Sequence, residues 1–152
     1  MTQNIFDKAV TDEIINRIEK LTPASQPQWG KMSVDQMLAH CNVVYKYTFE
    51  PEQFKKPNAF KKFFLKTFIK NIVTGEKPYS KNGPTAPDFL IRENKNFDKE
   101  KQSLIANINK AQQLGTNHFD GLENFSFGKM TATEWNNLFF KHLDHHLKQF
   151  GV

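Results

Sequence analysis

Thr131-Ala-Thr-Glu-Trp-Asn-Asn-Leu-Phe-Phe-Lys-His-Leu-Asp-His-His-Leu-Lys-Gln-Phe-Gly151 is the stretch on which the reading of the fold turns. Thr131 with Glu134 three residues later is a capping box, in which each side chain satisfies a backbone N–H that a helix start leaves orphaned. Trp135, Leu138, Phe139, His142 and His146 then recur at steps of three and four, one stripe of a helix of 3.6 residues per turn. Gly151 lies just past the end, where a left-handed residue closes a helix. The spacing predicts a helix over about Ala132–Gln149 with one apolar face, and such a face has to be covered by other helices.

The rest of the chain supplies them. Phe6–Leu21 carries Val10, Ile14, Ile18 and Leu21 on one stripe, before Pro23 and Pro27 break the pattern. Ser33 and Gln36 form a second capping box, opening a helix to about Thr48, short of Pro51, with Met37, His40, Cys41 and Val44 on neighbouring faces. Asp98–Leu114 repeats Leu104, Ile105, Ile108, Ala111 and Leu114 up to Gly115. Nothing alternates long enough to make a convincing strand. The expected architecture is all-α: an antiparallel four-helix bundle in one domain, residues 1–152, with an extra helical segment and a long loop. The extra segment, Ala59–Val73, places Phe60, Phe63, Phe64, Phe68 and Ile72 opposite Lys62, Lys66 and Lys70. Basic amphipathic helices serve membranes or partners. The simpler expectation is a core helix whose solvated face is lysine. Gly75–Asn96, rich in Gly, Pro and Asn, reads as the long loop, and His118 as an exposed loop residue beyond the third helix.

Composition narrows the class. At 152 residues and 38% hydrophobic, one core burying about 70% of the unfolded surface is enough without staples. A single cysteine excludes an internal disulfide and a Cys-only zinc site. The net charge is +5 and the isoelectric point about 9.3. Only Arg17 and Arg92 are arginine, however, and the lysines are scattered, so no specific nucleic-acid partner is expected. The greasiest window, Phe60–Val73, is cut by four lysines, so no membrane partner is expected either. The first residues lack a cationic start followed by an apolar run, and a cytoplasmic location is expected.

Chemistry concentrates in the histidines. His142 and His146 stand one turn apart on the inward stripe, a spacing that lets two imidazoles converge on one ion. His40, on the apolar stripe of the second helix, is the best third ligand. Three neutral nitrogens would leave positions for water or substrate. His145, about 60° round the helix, and Gln149 are the candidates to support the ligands from behind. Leu143 after His142 removes the glutamate of the His-Glu-x-x-His proteases. Cys41 and His40, adjacent on a helix, diverge by about 100°, so Cys41 reads as a buried hydrophobe. No phosphate-cradling glycine loop is present.

Trp29-Gly-Lys-Met-Ser33 running into Gln36-Met-Leu-Ala-His40, Phe127-Gly-Lys-Met-Thr131 running into Glu134-Trp135, and His142-Leu-Asp-His-His-Leu-Lys-Gln-Phe-Gly151 resemble the DinB/YfiT-like superfamily of metal-dependent bundles. The nearest likeness is to its bacterial branch of domains of unknown function. The resemblance covers nearly the whole chain. It implies that His40, His142 and His146 bind a divalent metal; with three imidazole donors zinc or nickel is expected first, manganese or iron as alternatives. It also implies an enzyme in which that site activates a thiol or water against a small electrophilic substrate, as a transferase or hydrolase. The other reading is a non-catalytic, metal-stabilised bundle that binds a small ligand or protein partner. Relatives often carry His-Pro where Asn124-Phe125 stands here. A homodimer is expected as well, because 15 phenylalanines are generous for one small core. Metal affinity is expected to fall below about pH 6, since only neutral imidazole ligates.

Overall fold

In the computed structural model, which describes residues 2–152, four long helices meet around one core. They are α1 (Lys8–Glu19), α2 (Val34–Phe49), α5 (Phe97–Phe119) and α6 (Ala132–Gln149). Between α2 and α5 lie α3 (Ala59–Phe64) and α4 (Lys70–Thr74), joined through a π-helical turn at Leu65–Ile69. Two-residue strands β1 (Glu123–Asn124) and β2 (Gly128–Lys129) pair antiparallel between α5 and α6. The chain is therefore mostly helical. No helix among the described residues is long and apolar enough to cross a membrane.

Local chemistry accounts for the helix ends. At α6, Thr131 Oγ1 accepts from Glu134 N at 3.2 Å while Glu134 Oε2 accepts from Thr131 N at 2.9 Å. At α2, Gln36 Oε1 accepts from Ser33 N at 3.1 Å, but the Ser33 hydroxyl turns to the Asp35 carboxylate. Asn96 Oδ1 caps α5 through Lys99 N. Beyond the stop predicted at Gly115 the chain adds a further helical turn to Phe119, so His118 lies in that turn, exposed as expected. Gly115 still breaks the helix locally, with a φ of 71° that other residues resist.

Helix α5 packs on α1 and α2, and α6 packs on α1, α2, α4 and α5. Ile14, Ile18, Met37, Leu38, Leu104, Ile108, Trp135 and Phe139 fill the space between them. Polar ties hold the register. Asn42, fully buried on α2, donates to the Glu100 backbone carbonyl and carboxylate and accepts from Asn107. Arg17 on α1 pairs with Asp144 on α6 at 3.0 Å and also donates to the Val152 carbonyl.

Two expectations need correction. No strand was expected, yet β1 and β2 pair as a short hairpin whose turn is Phe125–Phe127. Asn124 Oδ1 accepts from Ser126 N and Phe127 N, an Asx-type turn. The second correction is larger. Leu65, Ile69 and Val73 pack on the core, whereas Phe60, Phe63, Phe64, Phe68 and Ile72 point to solvent. Both sets recur at a spacing of four, so periodicity alone picked the wrong stripe as the buried one.

Candidate metal centre

Helix α6 delivers His142 and His146 to the interior, one turn apart, because Trp135, Leu138 and Phe139 bury that face. Helix α2 brings His40 from the other side. One ring nitrogen from each lies within 4.8 Å of the others, and the Nε2 atoms of His142 and His40 stand 2.9 Å apart. His40 and His146 are buried, and His142 keeps part of its surface open. The sequence-derived trio is thus brought together in space.

The outer nitrogens reveal how the rings are held. His40 Nδ1 lies 2.9 Å from the Phe89 carbonyl, and His146 Nδ1 lies 2.8 Å from Gln149 Oε1. A carbonyl oxygen can only accept, so both Nδ1 atoms carry the proton and both Nε2 atoms present lone pairs. Gln149 Nε2 in turn donates to the Trp29 carbonyl at 2.7 Å. Gln149 therefore acts through His146, rather than through His142. Gly30 leaves room for this amide, since a Cβ there would lie 2.6 Å from Gln149 Nε2.

These residues fit a divalent ion. Tetrahedral ligation with bonds of about 2.1 Å sets ligand nitrogens about 3.4 Å apart, between the separations seen here. Both protonated outer nitrogens have the acceptors that ligating histidines ordinarily find. No carboxylate or thiolate joins the cluster among the described residues. Cys41 is buried beside Met37, and burial pushes its thiol up, so it is the inert hydrophobe expected.

Around the trio stands a wall that the sequence reading did not pick out. Phe89 and Tyr79 come from the 75–96 loop, and Tyr79 packs against His142 and His145. Lys141 donates to the Ile72 and Gly75 carbonyls, closing the end of α4 beside the site, and lies 4.7 Å from the Tyr79 ring. His145 packs against Trp29 and the His146 ring, but hydrogen-bonds none of the three ligand candidates among the described residues. Of the two supporting residues foreseen, Gln149 is the one that hydrogen-bonds a ligand candidate among the described residues.

A mostly helical protein with three imidazoles converging in its interior belongs to the class of candidate metal-binding helical folds. A family model described as "Protein of unknown function (DUF1569)" matches residues 5–151, and the chain belongs to that family. No curated protein and no solved structure matches it.

Two tests follow from this geometry. Replacing Gln149 by leucine frees the His146 ring and should weaken metal binding about 10- to 100-fold, read by titration calorimetry. Unchanged affinity would show that the bond to Gln149 is incidental. The second test is pH. Burial, and then the neighbouring His40, push His146 down to about 3, and burial holds His40 and His142 below 6.5 as well. Unfolded imidazoles titrate near 6.5, so below that value protons bind the unfolded chain first. Stability of the metal-free protein should be intact above about pH 6.5 and decline as the pH falls. At pH 5 His146 alone costs on the order of 2 kcal/mol, a Tm lower by about 4–8 °C than at pH 7.5. Thermal unfolding at the two values measures it, and an unchanged Tm would mean solvated rings. The same burial makes protons poor competitors for the folded site. The loss of metal affinity expected below about pH 6 therefore shifts to lower pH.

Proposed function

We propose that the chain is a metal-dependent enzyme of the DinB-like type, with His40, His142 and His146 holding one divalent ion. The observation that carries this reading is the pair of fixed tautomers: the Nε2 lone pairs of His40 and His146 are set, from behind, to face the cluster. The contacts of α1 and α2 with both α5 and α6 support the antiparallel four-helix bundle of that superfamily. Three protein ligands leave a coordination position free, the mark of catalytic rather than structural sites. An ion bound there lowers the pKa of a thiol or water toward neutrality. The Phe89 and Tyr79 rings pack against His40 and His142 on one side of the site. A small electrophile, and a low-molecular-weight thiol as the nucleophile, are the proposed substrates.

A second reading has its own support. The Tyr79 hydroxyl is committed to the Val73 carbonyl at 3.1 Å, and the Lys141 ammonium to backbone carbonyls. Neither is free to serve as a general base, which favours a metal-stabilised, non-catalytic bundle. Elemental analysis of the purified protein, followed by a panel of low-molecular-weight thiols against electrophilic acceptors, separates the readings. The enzyme reading expects about one ion per chain and turnover that stops on chelation. Metal without turnover of thiol or water favours the second. Failure to retain zinc, nickel, manganese or iron overturns both.

A further inference from the structure

The α3–α4 segment presents a second feature, independent of the histidines. Phe60 is 80% exposed, Phe63 66%, Phe64 47%, Phe68 58% and Ile72 61%. At about 200 Å² per phenylalanine the four rings alone offer roughly 500 Å² of apolar surface, near the upper end for the largest patch on a monomer. The π-helical turn helps to keep this face together. Residues at a spacing of four drift about 40° per step round an α-helix. The wider turn at Leu65–Ile69 takes up part of that drift, and Phe64 and Phe68 sit with ring centroids 5.1 Å apart.

The charges around the face indicate what covers it. Residues 54–75 contain six lysines and no acidic residue. Lys61, Lys62 and Lys70 are already answered by Asp88, Glu123 and Glu134. Lys55, Lys56 and Lys66 are exposed and make no ion pair among the described residues. A symmetric pairing of two copies through this face would bring these lysines together with no carboxylate in the segment to meet them. An anionic surface answers both features at once, its acyl region taking the phenylalanines and its headgroups the ammonium groups.

We infer that the α3–α4 face docks on an anionic lipid bilayer, lying in the interface plane with Phe60, Phe63, Phe64, Phe68 and Ile72 inserted. Unlike a spanning segment, such a helix needs no uninterrupted apolar run, so the lysines that exclude spanning are compatible with docking.

Co-sedimentation with vesicles tests this, using an equimolar phosphatidylglycerol and phosphatidylcholine mixture against phosphatidylcholine alone. The expected result is binding to the anionic vesicles at least tenfold stronger than to the neutral ones, weakened by salt. The triple variant Phe60→Ser/Phe64→Ser/Phe68→Ser and, separately, Lys55→Glu/Lys56→Glu/Lys66→Glu should each lose that binding by tenfold or more. Because the altered side chains are exposed, both variants should keep the wild-type circular dichroism. Equal binding to both vesicle types, or binding that survives either variant, overturns the inference. So does absence of vesicle binding, whether light scattering then finds a monomer or a dimer that the phenylalanine variant dissociates. None of these outcomes depends on the metal.

Discussion

Alanine at His142 or His146 should abolish metal binding, from about one divalent ion per chain to none and by more than 100-fold in affinity. Each removes a nitrogen from a set of only three, with no carboxylate or thiolate in the cluster to replace it. Two imidazoles one turn apart, or one from each of two helices, hold a divalent ion weakly. Any metal-dependent activity should disappear with the ion. His40→Ala should do the same, and it is the sharper test of the tertiary arrangement because it reaches the cluster from a different helix. His118→Ala, on the exposed end of α5, should leave metal content unchanged. His145→Ala should also leave it close to wild type, since its ring bonds none of the ligand candidates and contributes packing against Trp29. Elemental analysis after gel filtration decides each case. Full metal content in His142→Ala would end the assignment.

The trio was legible in the sequence because a helix converts spacing into position. Steps of three and four from Trp135 to His146 fix a face, the apolar partners say that it points inward, and His40 lies on the matching stripe of α2. What holds the rings was legible only in part. Gln149 is three residues beyond His146 and so within reach of it on the helix surface, a relation that spacing contains. The acceptor for His40 is a backbone carbonyl in the irregular 75–96 loop. Every residue offers a carbonyl, so no side-chain pattern marks Phe89 as the one that serves. The α3–α4 segment failed for another reason. Phe60/Phe64/Phe68/Ile72 and Leu65/Ile69/Val73 are both apolar at a spacing of four, and residue types that commonly lie buried make up both stripes. Which stripe faces in was decided by where α4 meets α6: Asn137 donates to the Thr74 carbonyl and Lys141 to that of Ile72, turning the smaller residues toward the core.

Helix α6 also carries the residue on which stability should depend most. Trp135 is buried against Phe119 of α5 and Phe139, with ring centroids 5.4 Å away in both cases. Its indole N–H donates to the Leu122 carbonyl, at 3.4 Å, just before the hairpin. Trp135→Ala should cost about 3–5 kcal/mol, through lost apolar burial and a cavity that rigid neighbours cannot close. In a chain of this length that lowers Tm by about 6–20 °C, a large fraction of the 5–15 kcal/mol typical of whole domains. A fall of less than about 2 °C would show that the aromatic cluster does not hold α6 in place. The variant also couples the fold to the site. Trp135 lies two turns before His142 on the same stripe, so the side chain that anchors α6 also sets where the ligands point. An ion that binds only the folded chain stabilises it by RT ln(1 + [L]/Kd), about 2.7 kcal/mol at a hundredfold excess over Kd. Adding zinc to metal-free Trp135→Ala should therefore recover several degrees of the lost Tm. The same addition to Trp135→Ala/His142→Ala should recover none. Equal recovery in both would place the zinc elsewhere than on the three histidines.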